Sequence, residues 1–215
     1  MCNYNKPILQ IKNLKKVYHD ETNELTAIDN LNLEVNNKEF ISIVGPSGCG
    51  KSTLLSILAG LEKKSYGEII LDNNLKIGYM LQKDSLFPWR TILDNCLLGL
   101  EITNQLNDNT KKRVIDLLKT YGLGDFIDKY PSSLSGGMKQ RVALIRTLAT
   151  NPDILLLDEP FSALDYQTRL ALSDDVYKII KNEGKTAIMV THDLAEVMYR
   201  KNITIYLSIE KPSIC

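Results

Sequence analysis

The amino-acid sequence predicts an α/β protein with a parallel sheet core, an antiparallel β subdomain near its amino terminus and an inserted helical lobe. Three observations predict this class: short apolar strands alternate with helices, a glycine-rich loop joins one strand to a helix, and the middle of the chain has helical periodicity. We expect one domain over residues 1–215. In it, residues 1–83 and 151–215 form the core lobe and residues 84–150 form the helical lobe.

The composition excludes several classes of protein. A chain of 215 residues can bury about 70% of the surface that it exposes when unfolded, so it needs neither disulfides nor a structural metal. Lys plus Arg and Asp plus Glu are equal at 26 each, so no excess of positive charge favours nucleic acid, and we expect no nucleic-acid partner. Scattered cysteines are typical of a reduced, cytosolic chain, and here they are Cys2, Cys49, Cys96 and Cys215.

The sequence also lacks a signal peptide and a membrane span. Residues 1–7 have no apolar core, and the longest apolar runs, such as Ile154–Leu157, are far shorter than the roughly 20 residues that a span needs. We therefore expect a chain that neither crosses a membrane nor leaves the cell by that route.

Residue patterns predict the elements in order. Apolar residues alternate from Ile8 to Val35 around a polar turn at residues 19–24, which predicts antiparallel strands. After Gln82 the pattern is helical, with apolar faces that end before Gly122 and before Asn151–Pro152. Later strands are apolar on both faces, which indicates a parallel sheet covered on both sides. The other predicted strands are Ile41–Val44, Gly67–Leu71, Leu75–Met80, Ile154–Leu157, Thr186–Val190 and Ile203–Leu207, and the predicted core helices are Lys51–Leu61 and Leu164–Lys181.

The glycine-rich segment after the strand Ile41–Val44 fits G-x-x-x-x-G-K-[ST], the pattern of a phosphate-binding loop. Its backbone N–H groups and the positive dipole end of the next helix favour phosphate, Lys51 adds a full charge, and Ser52 would hold Mg²⁺. A flexible surface loop is the alternative, which the strand before and the helix after disfavour. The predicted nucleotide contacts here are Gly45, Pro46, Ser47, Gly48, Cys49, Gly50, Lys51, Ser52 and Thr53.

Two acids, Asp158 and Glu159, end the strand that begins at Ile154. Ligands of parallel α/β folds bind at the carboxyl edge of the sheet, where these carboxylates are expected. Asp158 suits a water-mediated contact with Mg²⁺, and Glu159 suits a general base that orients and polarises an attacking water. Solvated acids at a strand end are the alternative, and the phosphate-binding loop favours the functional interpretation.

The most informative segment runs from Leu134 to Gln140 and reads L-S-G-G-M-K-Q. Two adjacent glycines weaken the start of a strong helix, unless the backbone must approach another group closely. Ser135 can cap this helix and leave N–H groups facing outward. With this string the sequence resembles the ATP-binding-cassette (ABC) ATPase family, whose signature is L-S-G-G-x-x-Q. The resemblance covers nearly the whole chain and implies a P-loop NTPase (RecA-like) core with an inserted helical signature lobe.

The resemblance implies roles for residues outside these motifs. Tyr18 corresponds to the aromatic residue that stacks on adenine, although simple strand packing is the alternative. Gln82 corresponds to a glutamine that senses Mg²⁺ and the reacting water, His192 to a switch histidine beside the γ-phosphate, and Ser162–Asp165 to a loop that crosses a dimer interface. The implied catalytic residues are Lys51, Gln82, Glu159 and His192, the implied metal ligands are Ser52, Gln82 and Asp158, and the implied nucleotide contacts elsewhere are Tyr18, Ser135, Gly136, Gly137 and Asp165.

The resemblance also implies a dimer, either a homodimer or a pair with another ABC subunit. ATP and Mg²⁺ would bind the phosphate loop of one subunit and be covered by Ser135 and Gly137 of the partner subunit. Closure on ATP and opening after hydrolysis would supply a motion to whatever the helical lobe touches.

Two segments, Leu86–Asn95 and Pro160–Asp165, are similar to those of the nitrate, sulfonate and taurine importer subfamily. That similarity implies an integral membrane permease, a solute-binding protein and a peripheral position on the cytoplasmic face of the cell membrane. The similarity leaves open whether the transported solute is of the nitrate, sulfonate, taurine or vitamin-precursor type. Phe87 and Trp89 could present an apolar surface to a partner helix, or they could pack the lobe.

Two features depart from the family pattern. The segment between the phosphate-loop helix and Gln82 is shorter than in many members. Lys201–Asn202 stand where Asp-Arg is usual. The chain ends soon after the strand Ile203–Leu207, so we expect no appended regulatory domain, and the sequence does not decide whether the last helix of the core lobe is present.

Three other interpretations remain. A soluble ABC ATPase of translation or DNA repair would couple hydrolysis to nucleic acid, but such proteins usually carry two cassettes or a long coiled-coil insertion. A small-molecule kinase could use the same phosphate loop, without any need for L-S-G-G. A non-catalytic nucleotide-binding module would bind ATP without turnover, which the presence of Lys51, Glu159 and His192 disfavours.

Overall fold

A computed structural model describes residues 7–19, 23–162, 164–193 and 203–206 of the chain. The predictions about Cys2, Cys215, Lys201–Asn202 and the end of the last strand at Leu207 lie outside the described residues. Among the described residues, no helix has the length and apolar character needed to cross a membrane.

The described strands form two sheets, which confirms the predicted α/β class. An antiparallel sheet has the order β2-β1-β4, and a parallel sheet has the order β5-β6-β7-β3-β8. The strands are β1 (Leu9–His19), β2 (Glu24–Val35), β3 (Phe40–Val44), β4 (Tyr66–Leu71), β5 (Ile77–Met80), β6 (Ile154–Asp158), β7 (Thr186–Thr191) and β8 (Ile203–Tyr206). The helices are α1 (Lys51–Leu58), α2 (Ile92–Ile102), α3 (Asp108–Thr120), α4 (Gly136–Ala149) and α5 (Tyr166–Asn182).

The strand β6 is apolar and buried on both faces. Ile154 and Leu156 pack in the core that contains α1 and the antiparallel sheet. Leu155 and Leu157 pack on the other face, against α4 and α5. This two-sided burial is typical of a parallel strand between layers of helix, as the sequence pattern predicts.

The parallel register places the ends of four strands side by side. Val44 pairs with Thr191, Asp158 with Val190, and Met80 with Leu157. The segments that follow β3, β5, β6 and β7 therefore leave the sheet at the same edge. These segments carry the polar residues of the candidate site.

The segment between β5 and β6 contains the three helices α2, α3 and α4, which pack around their own apolar core. Helix α4 belongs to two cores, because Val142 and Ile145 lie in the helical core while Leu144 and Leu148 lie against the parallel sheet. Cys96 is fully buried in the helical core, and burial raises the pKa of its thiol to about 12. This cysteine is therefore a neutral packing residue at physiological pH.

The structure differs from the predicted elements at the end of α1, at the start of α5 and in the pairing of two strands. Helix α1 ends at Leu58, because Gly60 adopts a left-handed conformation with φ of +72° that stops the helix. Helix α5 begins at Tyr166, because Asp165 acts as its cap. The predicted pair of strands around residues 72–74 falls in two sheets, with β4 antiparallel to β1 and β5 parallel to β6.

Gly50 connects the phosphate loop to the antiparallel sheet. It caps α1 with φ of +88°, and a Cβ atom there would lie 2.2 Å from the carbonyl oxygen of Ala27 on β2. That distance is far inside van der Waals contact with backbone. The start of α1 can therefore pack this closely on β2 only with glycine at this position.

We predict that Gly50→Ala destabilises the protein by roughly 3–5 kcal/mol, because it adds a backbone clash to left-handed strain. Gly60→Ala at the other end of α1 is the matched control, since its φ is also positive but nothing lies within 4 Å of a Cβ there. Gly60→Ala should lower the free energy of unfolding by about 1–2 kcal/mol. Urea unfolding measures both, and equal losses would contradict the role of the Ala27 contact.

Candidate active site

The phosphate loop curls around the side chain of Lys51. Its Nζ donates hydrogen bonds to the carbonyl oxygens of Gly45 at 2.7 Å and Pro46 at 2.9 Å. The side chain is only 4% exposed, although it carries a charge. The loop thus holds a buried cation at the amino-terminal end of α1, where backbone N–H groups and the helix dipole also favour anions.

Asp158 accepts two hydrogen bonds at the end of β6. The hydroxyl of Ser52 donates to Oδ1 at 2.9 Å, and the hydroxyl of Tyr79 on β5 donates to Oδ2 at 3.0 Å. Burial and the neighbouring Asp158 carboxylate raise the pKa of Tyr79 to about 12, so this phenol remains a donor across the physiological range. The two hydroxyls fix the orientation of the carboxylate.

The oxygen donors at this point fit Mg²⁺. A serine hydroxyl and a carboxylate lie together beside the phosphate loop, and Mg²⁺ in nucleotide sites uses one or two such ligands together with phosphate oxygens and waters. The described residues contain no group of three or more His, Cys, Asp or Glu that could hold a metal ion. A Mg²⁺ ion that entered with nucleotide phosphates would be held by Ser52 and Asp158.

Glu159 stands at the centre of the polar cluster. Its Oε1 lies 3.7 Å from Nζ of Lys51, and its Oε2 lies 3.4 Å from Nε2 of Gln82 and 3.0 Å from Nδ1 of His192. Its side chain is 14% exposed, and its backbone has an unusual positive φ of +43°. Such strain outside glycine is found most often at functional positions. Four residues that the sequence analysis assigns to catalysis thus meet at one carboxylate.

His192 directly follows β7 and remains accessible, with its side chain 42% exposed. Its neighbour Glu159 is anchored to the same strand, since the backbone N–H of Glu159 donates to the carbonyl of Val190 at 3.0 Å. The adjacent strand ends therefore place the imidazole against the carboxylate. An accessible imidazole beside a shielded acid can contact a ligand that enters from solvent.

The signature segment caps α4 as predicted. The hydroxyl of Ser135 accepts a hydrogen bond from the N–H of Met138 at 3.3 Å. A Cβ at Gly136 would lie 2.9 Å from a methyl group of Leu164, so this glycine allows close packing within the chain. Among the hydrogen bonds of the described residues, none joins Ser135 to the phosphate loop of the same chain.

Tyr18 on β1 lies beside the phosphate-loop helix in a small polar group. Its hydroxyl lies 3.4 Å from the hydroxyl of Thr53 and donates to Glu62 at 2.8 Å. The ammonium of Lys16 sits 4.6 Å from the ring centroid and pairs with Glu62 at 3.0 Å. The hydrogen bond from Tyr18 lowers the pKa of the Glu62 carboxyl. The exposed ring is 37% accessible and adjoins the predicted nucleotide site.

Asp165 has a structural use in this chain. Its carboxylate accepts a hydrogen bond from the N–H of Thr168 at 3.0 Å, and this bond lowers the pKa of Asp165. The residue therefore caps α5. Its predicted part in nucleotide binding stays a prediction.

Three residues of the site are absent from the sequence analysis: Lys16, Glu62 and Tyr79. Lys16 precedes Tyr18 by two positions, so strand periodicity places both on one face of β1. The sequence pattern alone therefore indicates that Lys16 lies beside Tyr18. Glu62 reaches the group from the segment that follows α1, and Tyr79 reaches Asp158 through the pairing of β5 with β6. Those contacts depend on tertiary structure.

The fold and this cluster define an ATPase with a phosphate-binding loop. The profile of the family described as ABC transporter matches residues 28–162. An uncharacterized ABC transporter ATP-binding protein of Bacillus subtilis, YtlC, is 47% identical over 210 residues, which cover 95% of this chain and 80% of that protein. This chain belongs to the ABC transporter family, whose ATP-binding proteins are ATP hydrolases.

Two further relatives are importer subunits by name. The spermidine/putrescine import ATP-binding protein PotA of Mannheimia succiniciproducens is 41% identical, over 90% of this chain and 53% of that protein. The aliphatic sulfonates import ATP-binding protein SsuB of Bacillus cereus is 37% identical, over 93% of this chain and 81% of that protein.

A solved structure agrees with the fold. The dimeric ATP-binding cassette MJ0796, bound to ADP and Pi in a post-hydrolysis state, has a TM-score of 0.77 and 34% identity, covering 94% of this chain and 97% of that one. The predicted fold class and family are therefore confirmed.

We predict that Tyr79→Phe raises the Mg²⁺ concentration needed for half-maximal ATP binding about tenfold, because the Asp158 carboxylate, which would hold Mg²⁺, loses one of its two orienting donors. Unfolding free energy should fall by about 1 kcal/mol. Calorimetric titration of ATP at several Mg²⁺ concentrations measures the first effect.

The matched control is Tyr121→Phe. Its hydroxyl donates to Glu183 at 3.0 Å, and burial likewise raises the pKa of Tyr121 to about 12, but the pair lies outside the site. This variant should keep the wild-type Mg²⁺ dependence. An unchanged Mg²⁺ dependence in Tyr79→Phe would show that the hydroxyl does not support metal binding.

Proposed function

We propose that this chain is the ATP-hydrolysing subunit of an ABC importer, that it works as a dimer with Mg²⁺, and that it drives uptake of a small solute through a separate membrane permease. The single observation that carries the catalytic part is the convergence of Lys51, Gln82 and His192 on the carboxylate of Glu159. The transport part is supported by relatives whose names describe import.

The cluster suits phosphoryl transfer to water. Lys51 and the N–H groups of α1 bind the phosphates, and Glu159 acts as the base that takes a proton from the attacking water. His192 and Gln82, both within hydrogen-bonding reach of that carboxylate, orient the water and the transferring group. Ser52 and Asp158 would hold Mg²⁺, which would supply charge neutralisation at the phosphates when bound.

Two chains are needed to complete the site in this proposal. The hydroxyl and N–H groups at the start of α4 are donors that suit an anion, yet Ser135 makes no described hydrogen bond to the phosphate loop of its own chain. A second copy could bring its own α4 over the loop. The dimeric state of MJ0796 with ADP and Pi supports this arrangement.

Tyr18 is proposed to stack on the nucleobase. Its ring is partly exposed, and its hydroxyl lies 3.4 Å from that of Thr53 in the helix that follows the phosphate loop, which supports this proposal. Aromatic stacking on a base contributes about 1–3 kcal/mol. Asp165 remains a proposed contact with the partner's nucleotide.

A surface near the helical lobe suits the permease. Trp89 is 71% exposed, and its ring lies 5.1 Å from that of Phe87, which is half-buried. Of the two sequence interpretations, the structure favours an exposed tryptophan over a packed one. Such an aromatic pair could receive an apolar helix of a membrane subunit, which would hold the chain on the cytoplasmic face of the membrane while a solute-binding protein delivers the solute.

We predict that Glu159→Gln lowers phosphate release from Mg-ATP by about 10²–10⁴-fold, because the amide cannot accept the proton of water. Binding of ATP should persist, and ATP should lock the variant as a dimer, doubling its mass in light scattering. Glu101→Gln, which alters a carboxylate paired with Arg90 in the helical lobe, should keep the wild-type rate. A normal rate in Glu159→Gln would contradict the proposed base.

Uptake measurements identify the solute class. Cells in which Glu159→Gln replaces the wild-type chain should lose uptake of labelled alkanesulfonate and keep uptake of labelled spermidine. The similarity to SsuB over most of that protein's length supports this choice. Loss of spermidine uptake alone would instead assign the polyamine class, which the similarity to PotA makes the second candidate.

A further inference from the structure

Arg169, in the first turns of α5, joins two loops of the site. Its Nη1 donates to Oδ2 of Asp193 at 2.8 Å, and its Nη2 donates to the carbonyl oxygen of Leu164 at 2.9 Å. The side chains of this ion pair are only 17% and 21% exposed. Partial burial makes such charge-assisted hydrogen bonds stronger and better ordered than surface pairs.

Both loops carry groups that touch Glu159. Asp193 directly follows His192, whose Nδ1 lies 3.0 Å from Oε2 of Glu159. Leu164 lies two residues beyond the turn at residues 159–162, in which the N–H of Ser162 donates to the Glu159 carbonyl at 3.2 Å. Within that turn the hydroxyl of Ser162 lies 3.3 Å from Nε2 of Gln82. One guanidinium therefore connects the loop after β6 to the loop after β7.

The chemistry of this contact requires arginine. A guanidinium directs its N–H groups in fixed directions within a plane, so it can hold a carboxylate and a carbonyl at the same time. A lysine ammonium is a point charge that can satisfy the carboxylate without fixing the angle between two loops. Asp193 is also held by its own backbone, because its N–H donates to the hydroxyl of Thr191 at 3.0 Å.

We propose that Arg169 is a positioning residue that fixes the imidazole of His192 against Glu159 by holding Asp193 and Leu164 with one guanidinium. In this proposal it acts through the two loops that carry His192 and Glu159. Its loss should therefore lower turnover while leaving ATP affinity nearly unchanged. The link to turnover rests on the proposed function, whereas the placement of His192 does not.

Histidine signals in nuclear magnetic resonance test the placement directly. The chain has two histidines, His19 and His192, so protein with labelled histidine gives two imidazole signals. His19 pairs with Glu24 on the antiparallel sheet, outside the site, and serves as an internal reference. His192→Gln assigns the signals.

Arg169→Met should move the His192 signal and leave the His19 signal in place. Phosphate release should fall about 10- to 100-fold, with an unchanged KM, because a displacement of about 1 Å in a catalytic group has effects of that size. Arg169→Lys should restore folding stability without restoring the signal or the rate. Asp193→Asn, which removes the charge of the acceptor but keeps its size, should move the same signal in the same direction.

The matched control is Arg90→Met. Arg90 also bonds one carboxylate, Glu101 at 2.7 Å, and one carbonyl, that of Asp94 at 3.4 Å, in the helical lobe, although its ion pair is more exposed, at 31% and 33%. It should leave both histidine signals and turnover unchanged. An unmoved His192 signal in folded Arg169→Met or Asp193→Asn overturns the proposal, as does full recovery of signal and rate by lysine. Wild-type protein without ATPase activity would refute the proposed function, while the signals would still decide the role of Arg169.

Discussion

The site depends on the parallel register of β6 between β5 and β7. Asp158 is the last residue of β6 and pairs with Val190, so Glu159 is the first residue beyond the pairing and lies beside His192. Since β6 is apolar on both faces, its pattern alone would tolerate a shift by one residue. A shift towards the sheet interior, however, would bury a carboxylate in an apolar layer at a cost of several kcal/mol. The acids at the strand end therefore help to fix the register that positions them.

The same edge of the sheet concentrates opposite charges in a shielded space. Lys51 is almost fully buried, and its charge is satisfied by two loop carbonyls and by Glu159 at 3.7 Å. A buried ion pair contributes little net stability, because desolvation offsets the attraction. Its value lies in holding groups in a defined arrangement. Here the arrangement keeps a cation under the loop and the Glu159 carboxylate beside it, where the proposed reaction would direct a water at the phosphorus of a bound phosphate.

Whether a feature of the fold or of the candidate site can be predicted from the sequence depends on how far apart along the chain its interacting residues lie. Local patterns predicted the phosphate loop, the acids after β6 and the cap at Ser135, since each uses neighbours within a few residues. Tyr79 and Arg169 carry no such local signal. Tyr79 reaches Asp158 across a strand pairing of distant segments, and Arg169 reaches Asp193 over 24 positions along the chain. No local periodicity marks such contacts, because the folded sheet creates them.

The signature glycines show how one residue type can satisfy two constraints. Two adjacent glycines, Gly136 and Gly137, predict that the backbone at the start of α4 approaches another group closely. In the structure, a Cβ at Gly136 would lie 2.9 Å from a methyl group of Leu164, which precedes α5. Gly137 has room for a Cβ, with the nearest atom, a methyl of Thr168, at 3.5 Å. The Leu164 methyl lies at the end of a flexible side chain, so packing favours glycine only weakly at the first position, and it does not favour glycine at the second. In the proposed dimer, the unobstructed backbone at Gly137 would suit a close approach to the nucleotide of the second copy.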